Sequence, residues 1–335
     1  MAELPVGKIH MEVLEKLLLS YTRSNGRVVV GAGIGEDAAV IEMGDGYLIA
    51  KTDPITCVTD EVGHYLVNIN ANDIAAMGGT PRWFLATILM PEGSSDEDLE
   101  NIFAQISASC FDLGIIYCGG HTEVTTGVEN PIVVGQMLGE AKKNELKPTT
   151  GAQCGDDLVI TKTAAIEATA IIARERYEEL RDVMPEEFLQ RARNYLYDPG
   201  ISVVRDSLVV KNCEGVHALH DPTEGGIATG IYEMALASNL GVQVLGDEIP
   251  VSEETRILCS YFDVDPLGTF ASGSLLIAVS PSATGEVIRK LAEADIAAKK
   301  VGELVERERG MWITRDAELS PLIVFHQDEL SRIFG

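Results

Sequence analysis

Short apolar runs that end in acidic residues or histidine recur in both halves of the chain. One run, Gly46-Tyr-Leu-Ile-Ala-Lys-Thr52, is followed by Asp53, and another, Val216-His-Ala-Leu219, is followed by His220 and Asp221. Runs of this length are typical of strands, and segments with helical spacing lie between them. In the first half, the predicted strands cover residues 38–43, 46–52, 83–90, 115–118 and 131–138. Predicted helices cover residues 62–77 and, in the second half, residues 164–180. This alternation predicts a mixed α/β (α+β) fold in which helices pack on layered sheets.

The length of the chain favours two domains, because a single hydrophobic core rarely supports 335 residues. The best boundary between them is the polar stretch GEAKKNELKPTTGAQCGDD, which covers residues 139–157. Polar clusters with glycine mark loops. We therefore expect one domain over residues 1–150 and a second over residues 151–335.

Composition and net charge limit where in the cell the protein is expected and which classes of partner it is expected to bind. The sequence has no apolar run long enough to span a bilayer, and its first twenty residues resemble an amphipathic helix rather than a signal peptide. We therefore expect a cytoplasmic protein without a membrane partner. The formal net charge of −26 argues against nucleic acid as a partner. The charge fits solubility in a salty cytoplasm as well as carboxylates that hold metal ions, and it does not separate the two explanations.

The cysteines form no metal-binding pattern. None lies in a C-x-x-C pair, and none has a histidine at zinc-finger spacing. Scattered cysteines are typical of reduced thiols in apolar packing, so a structural zinc site is not expected. The six cysteines are Cys57, Cys110, Cys118, Cys154, Cys213 and Cys259.

A glycine-rich segment, GAGIGEDAAV, covers residues 31–40. It does not match a dinucleotide-binding fingerprint, because the third glycine comes one residue early and a strand-like run follows where a helix should. The sequence has no P-loop motif either. The segment predicts a flexible turn at Gly35 that delivers Glu36 and Asp37 to the mouth of a strand. Considered alone, it is better explained as a tight turn with solvated acids.

A dense polar cluster, NINANDIAAMGG, covers residues 68–79 within a predicted helix. Asn70 and Asp73 are three residues apart and therefore share one helix face. Such side chains compete for backbone hydrogen bonds in a helix, and they need partners if they are buried. A metal ion with its water shell would supply partners, and an exposed polar face would explain the cluster equally well.

Two further segments combine a strand, polar residues and a glycine pair. In CGGHTEV, Gly119 and Gly120 allow the backbone to approach a phosphate closely, and Thr122 and Glu123 offer oxygen ligands to hydrated Mg²⁺. In HDPTEGG, residues 220–226, a histidine and two acids precede a predicted helix, and Thr223 is expected to cap that helix. Considered alone, HDPTEGG is better explained as a helix start with a buried histidine.

Together, these segments predict a site made of oxygen ligands. Without ligands of the zinc type, the acids are typical of a site for a hard cation, and Mg²⁺ that bridges nucleotide phosphates is the obvious occupant. The predicted metal ligands are Asp37, Asp53, Asp73, Glu123 and Asp221.

Six segments occur in the order and spacing of a known family. GEDAAV, TDPIT, NANDIAAMGG, GGHTEV, GDDLVITKT and HDPTEGG resemble the motifs of the aminoimidazole ribonucleotide (AIR) synthetase superfamily. That superfamily includes thiamine-monophosphate kinase, selenophosphate synthetase and HypE-type hydrogenase maturation proteins, and HDPTEGG and DPLGTFASG look most similar to the HypE-type branch. The resemblance implies an N-terminal sheet that dimerises into a barrel, a C-terminal α/β layered domain, and ATP with Mg²⁺ in the cleft between them.

The resemblance also implies roles for single residues. Asp37, Asp53 and Asp73 resemble the acidic metal ligands, and His220 and Asp221 resemble a catalytic loop that faces the phosphates. The residues that the resemblance and the motifs predict to contact the nucleotide are Gly35, Asp37, Asp53, Asn70, Asp73, Gly119, Gly120, His121 and Thr122.

The sequence departs from each branch of the superfamily. HypE-type proteins end in a cysteine that carries a carbamoyl group, whereas this chain ends in LSRIFG and has no cysteine after Cys259. The selenophosphate branch has a glycine-rich N-terminal segment with a reactive cysteine and a lysine, and no such segment precedes Gly31. His121 stands where the kinase and HypE branches have aspartate.

These features predict an ATP- and Mg²⁺-dependent enzyme that transfers the γ-phosphate to a substrate oxygen, as a kinase or to activate an amide or carbonyl. Because the tail offers no thiolate, we expect the acceptor to be a separate small molecule or protein. A homodimer is expected as well. The alternative is a HypE-like maturation or scaffold protein that acts through a partner, such as a metalloenzyme precursor.

Overall fold

Two β-sheets with helices packed against them make up the part of the chain that the computed structural model describes, namely residues 9, 11–33, 35–55, 58 and 60–334. The predicted mixed α/β class is confirmed. Residues 1–8 of the predicted N-terminal helix, together with Thr56 and Cys57, lie outside the described residues. Within those residues, no helix is both long and apolar enough to cross a membrane.

The first sheet has six strands, and three helices belong to the same part of the chain. In chain order these elements are α1 Met11–Tyr21, β1 Val28–Val30, β2 Ala39–Glu42, β3 Gly46–Ile55, α2 Val62–Ala76, β4 Thr80–Met90, α3 Asp96–Asp112, β5 Ile116–Val124 and β6 Ile132–Lys142. The strand order is β1-β2-β3-β6-β4-β5, and only β4 and β5 run parallel. Helix α2 packs on one face, where Ile49, Phe84 and Met137 are fully buried.

The opposite face of the first sheet carries apolar side chains that no helix in the described part of the chain covers fully. Leu85, Ile132 and Leu138 lie on this face and are half-buried. Strand β5 forms one edge of the sheet, where Ile116 is 62% exposed, and Phe111 at the end of α3 is 84% exposed. An apolar face next to an open edge is a surface that a second chain can cover.

The second sheet has seven strands in the order β13-β12-β9-β11-β7-β10-β8. Its strands are β7 Asp157–Thr161, β8 Val216–His220, β9 Gly241–Leu245, β10 Leu276–Val279, β11 Ala298–Val305, β12 Met311–Arg315 and β13 Glu318–Pro321. The helices of this half are α4 Ile166–Glu175, α5 Tyr177–Leu180, α6 Glu186–Asn194, α7 Val204–Val210, α8 Gly226–Ala237, α9 Glu253–Tyr261, α10 Thr284–Glu293 and α11 Ser331–Phe334. Strand β8 is an edge strand, and HDPTEGG begins at its last residue.

Hydrogen bonds from buried polar side chains connect α2 to the second half. The Oδ1 atom of Asn72 accepts a hydrogen bond from the Val203 N–H at 2.8 Å, and its Nδ2 donates to the Ile201 carbonyl at 2.8 Å. The Ser207 hydroxyl donates to the Ala75 carbonyl at 2.6 Å. These bonds fix the position of α2, and with it the position of the acid that α2 carries.

Two predicted elements differ from the structure. The helix expected over Ala164–Leu180 is interrupted at Arg176 and forms α4 and α5. The polar cluster of GGHTEV, expected to follow a strand, is itself part of β5. A side chain at position 120 would collide with the backbone of Ala86 on β4, so the close pairing of the two strands requires Gly120.

Candidate metal and nucleotide site

Three buried aspartates from distant parts of the sequence meet at one point. Asp37 precedes β2, Asp73 lies on α2, and Asp221 directly follows β8. One carboxylate oxygen from each lies within 4.8 Å of the others, and each residue is less than a tenth exposed. The structure therefore brings together three of the five predicted metal ligands.

The state of these carboxylates fits a hard divalent cation. Both side-chain oxygens of Asp221 and Oδ2 of Asp73 are buried without a hydrogen-bond partner among the described residues. Burial, reinforced by nearby carboxylates, raises the pKa of Asp73 to about 8 and the pKa of Asp221 well above its ordinary value. Such groups are unfavourable unless a cation neutralises them, and Mg²⁺ prefers oxygen ligands of this kind.

A lysine that no sequence motif indicated lies in the same cluster. Lys51 on β3 places Nζ 2.8 Å from Oδ1 of Asp73 and 3.2 Å from Oδ2 of Asp53. Burial alone would lower the pKa of Lys51, but these carboxylates outweigh that effect and raise it. Asp53 lies at the rim of the cluster, with 35% of its side chain exposed.

Asn70 connects the end of β3 to α2. Its Oδ1 accepts a hydrogen bond from the Asp53 N–H at 2.9 Å, and its Nδ2 donates to the carbonyl oxygens of Asp53 and Leu66 at 3.3 and 2.9 Å. Hydrogen bonds to the backbone therefore occupy the side-chain amide group of Asn70. These contacts give Asn70 a positioning role, and its predicted contact with a nucleotide stays a prediction.

His220 lies buried between two carboxylates. Its Nδ1 is 2.8 Å from Oδ1 of Asp37, although the two atoms lack the alignment of a hydrogen bond, and its Nε2 is 3.3 Å from Oε2 of Glu233. Burial would lower the pKa of His220, but Asp37 and Glu233 raise it well above its ordinary value. The raised pKa favours the protonated ring, which lies between Asp37 and Glu233 and forms an ion pair with each of them.

The turn after His220 is closed by the C-terminal segment. Helix α8 begins with Gly225 as its N-cap, and no side chain at this position caps it, so the predicted capping by Thr223 is wrong. The buried carboxylate of Asp328 instead accepts a hydrogen bond from the Gly225 N–H at 2.7 Å. The Phe325 N–H also donates to the Thr229 hydroxyl at 3.1 Å. These two bonds hold residues 325–328 against the turn.

A cavity of about 350 Å³ opens over the aspartate cluster. The predicted residues in its walls are Gly35, Asp37, Asp53, Asp73, His220 and Asp221. The cavity is also lined by four residues that no motif predicted, namely Lys51, Glu233, Phe325 and His326. Lys51 lies inside an apolar run, and the other three belong to no motif that we recognised, so no signal in the sequence marked them. The predicted residues of both halves thus share one space.

The predicted residues of GGHTEV lie elsewhere in the chain. Strand β5 is three strands from β3 in the sheet, which corresponds to about 14 Å at the usual spacing between strands. His121 and Glu123 are both exposed, and Nε2 of His121 is 3.0 Å from Oε2 of Glu123. Within one chain, the structure does not bring Gly119, Gly120, His121, Thr122 or Glu123 to the aspartate cluster. Their role at a nucleotide stays a prediction.

Two family models match the chain in succession. The N-terminal domain of AIR synthase related proteins matches residues 35–141, and the C-terminal domain matches residues 153–313. The chain belongs to the AIR synthase related family. The resemblance inferred from the six motifs is thereby confirmed, while the predicted boundary between residues 150 and 151 stays a prediction.

Relatives of this chain carry different names. A putative hydrogenase expression/formation protein of Methanocaldococcus jannaschii is 26% identical over 323 residues, which is 92% of this chain and 91% of that protein. A thiamine-monophosphate kinase of Pyrococcus abyssi is 26% identical over 89% of this chain and 91% of its own length. The crystal structure of the hydrogenase maturation protein HypE in complex with ATP has a TM-score of 0.74 at 21% identity, and the match covers 95% of this chain and 96% of that one. This last likeness shows a common fold.

Proposed function

We propose that this protein is an ATP- and Mg²⁺-dependent enzyme that transfers the γ-phosphate of ATP to an oxygen atom of an acceptor, as a kinase or to activate an amide or carbonyl. The observation that carries the proposal is the buried cluster of Asp37, Asp73 and Asp221, whose unpartnered oxygens lie at a cavity. The relatives support it, since one is named a kinase and another structure was solved with ATP.

The residues of the cluster divide the work between binding and positioning. Asp37, Asp73 and Asp221 would hold the metal, with Asp53 at the rim. Bound Mg²⁺ supplies positive charge that orients the phosphate oxygens and offsets the charge that develops on them. His220 keeps Asp37 oriented and adds a positive charge beside the cluster. The contribution of the protein is therefore position and charge rather than covalent chemistry.

The acceptor is proposed to be a separate molecule. None of the five cysteines in the described residues lines the cavity. Cys110 and Cys259 are buried, and burial raises the pKa of both thiols to about 12, which leaves them unreactive as nucleophiles. The intact mass after incubation with ATP, Mg²⁺ and a carbamoyl-transfer system tests this. A carbamoyl or cyano adduct on any cysteine would contradict an external acceptor.

The second candidate function is HypE-like maturation or a scaffold role through a partner protein. The name of the Methanocaldococcus relative favours it. Measurement of ATP turnover with and without candidate acceptors separates the two functions. Turnover that a small-molecule acceptor stimulates supports the enzyme, whereas ATP binding without turnover in the presence of every acceptor class supports the scaffold.

The proposal includes two domains, residues 1–150 for ATP, Mg²⁺ and dimerisation and residues 151–335 as the second layer, in a homodimer. The open edge of β5 and the uncovered apolar face beside it support dimerisation through the first sheet. A second copy on this surface would also place residues 119–123 at the interface, near groups that one chain does not supply. Light scattering at micromolar concentration should report a dimer, and Ile116→Glu should shift the mass toward that of a monomer.

A further inference from the structure

Lys51 is the one lysine or arginine among the described residues that line the cavity, whereas four aspartates and three glutamates line it. Its Nζ lies 2.8 Å from Asp73 and 3.2 Å from Asp53. Lys51 is therefore paired with two carboxylates of the site, and Oδ2 of Asp73 beside it is buried without a hydrogen-bond partner among the described residues. A divalent cation bound by Asp73 would compete with the ammonium group for the charge of that carboxylate. Without a metal, the ammonium group of Lys51, together with the His220 ring beside Asp37, offsets part of the negative charge of the cluster.

When a metal binds, the side chain of Lys51 can move away, whereas its backbone cannot. The backbone at Lys51 pairs with Met137 of β6 in the middle of the sheet, so it does not move easily. The lysine side chain is a flexible four-carbon stem that carries a compact charge. A divalent cation bound by Asp73 would repel the ammonium group of Lys51, because like charges repel strongly in a partly buried site. The ammonium would then turn toward the phosphate groups of a nucleotide held by the same cation.

We propose that Lys51 is a catalytic residue that holds the place of the cation in the metal-free site and moves to the phosphate groups of the nucleotide when a divalent cation binds. The second step rests on the proposed phosphoryl transfer, whereas the first does not. A lysine that only fastened β3 to α2 would support metal binding, because it would help to assemble the ligands. A lysine that stands in for the cation competes with metal binding.

The experiment compares Lys51→Met and Lys51→Arg with the unaltered protein. Lys143→Met is the matched control, because Lys143 forms an exposed ion pair with Glu42 on the same sheet, away from the cavity. Titration with MgCl₂ alone, in a calorimeter and without nucleotide, measures the affinity for the metal. Thermal unfolding without metal and ATP turnover with Mg²⁺ are measured on the same samples.

Lys51→Met should raise the affinity for Mg²⁺ and lower both the unfolding temperature without metal and the ATP turnover. Lys51→Met should bind Mg²⁺ about tenfold more tightly, since a competing charge is gone, and should unfold at a lower temperature without metal. Its ATP turnover should fall by about a hundredfold, as is typical when one group that stabilises transition-state charge is removed, and Lys51→Arg should restore part of it. Lys143→Met should match the unaltered protein in every measurement. Unchanged or weaker Mg²⁺ affinity in Lys51→Met would overturn the proposal.

A measurement on the unaltered protein covers the case in which Lys51→Met does not fold. Reductive methylation, followed by mass spectrometry of peptides, reports how accessible each lysine amine is. Methylation of Lys51 should become faster when Mg²⁺ is added and slower again when ATP is added with it. Equal rates with and without Mg²⁺ would overturn displacement by the metal. An effect of Mg²⁺ without ATP turnover would retain displacement and remove the proposed transfer, so the two failures are distinguishable.

Discussion

Two buried lysine–aspartate pairs, one in each half of the chain, are built in different ways. Lys162, directly after β7, lies 3.3 Å from Asp206, and its Nζ donates to the carbonyl oxygens of Ser202 and Gly273 at 2.6 and 2.9 Å. Lys51 faces the cavity, and the carboxylates that line this cavity outnumber its single positive charge. The enclosed pair is balanced in charge, while the open pair has an excess of negative charge. Excess charge beside open volume, rather than burial of an ion pair, marks the binding site.

Removal of the lysine from the enclosed pair should have the largest effect, and the effect should be on folding. Lys162→Met leaves the carboxylate of Asp206 buried without its cation, and loss of one partner of such a pair typically costs about 3–5 kcal/mol of unfolding free energy. Unfolding in denaturant measures this loss. The control Lys143→Met should leave the midpoint unchanged. If Lys162→Met costs less than about 1 kcal/mol, the enclosed pair behaves like a surface pair and the contrast fails.

In the open pair, removal of the acid should act on binding. Asp73→Asn takes a charge from the shell of the cation and should weaken Mg²⁺-dependent ATP binding by about 10- to 100-fold, and Asp53→Asn at the rim should weaken it less. Without metal, Asp73→Asn should fold at least as well as the unaltered protein, because repulsion within the cluster is reduced. Calorimetry in Mg²⁺ and in EDTA tests both variants. If the unaltered protein binds ATP equally tightly in the two buffers, no metal takes part in ATP binding at this site.

The change in unfolding free energy with pH should be a smaller effect that tests the same contrast between the two pairs. The folded protein raises the pKa of Asp73 from 3.8 to about 8, so it binds a proton that the unfolded chain has released, and stability without metal should fall as the pH rises from about 4 to 8. The raised pKa of His220 acts in the same direction above pH 6.5. The slope should approach about 1.4 kcal/mol per pH unit for one proton.

Thermal unfolding between pH 5 and pH 8, with and without Mg²⁺, measures this slope. Saturating Mg²⁺ should flatten or reverse it, because metal ligands bind in their deprotonated form. Asp73→Asn should make the slope without metal less steep, and the part that comes from Asp221 and His220 should remain. A metal-free stability that rises steadily over this range would show that the carboxylates are ionised and well compensated in the folded protein.

The acids of the site were predictable from the sequence, and the lysine was not. Asp53 and Asp221 stand at or directly after the end of an apolar run, and Asp73 lies in a polar cluster that is too dense for an ordinary helix. Lys51 lies on the same face of β3 as Ile49 and Asp53. In a strand pattern, however, a lysine is normally assigned to solvent. Only the packing of α2 on that face shows that its charge points inward.

The fold was predictable where the apolar pattern was strong. Strands β2, β3, β4 and β6 and helix α2 match their expected positions to within a few residues. Strand β11, which carries Lys299, Lys300 and Glu303, was not expected, because charged residues interrupt its apolar pattern. Strand β5 was expected to end early, since two glycines and three polar residues favour a loop. It continues because it pairs with β4 along its whole length, which a local pattern does not reveal.

The hydrogen bond that the Gly225 N–H donates to Asp328 affects the order in which parts of the protein become structured during synthesis. The N–H of Gly225 leaves the ribosome long before Asp328 is made, so for that interval the start of α8 lacks its cap. The turn that carries Asp221 therefore acquires its final support only after a segment far along the chain has emerged and docked. A nascent chain released before that segment would contain every acid of the cluster but would hold Asp221 loosely. The set of carboxylates that would hold the proposed metal therefore reaches its final arrangement only after the tail is in place.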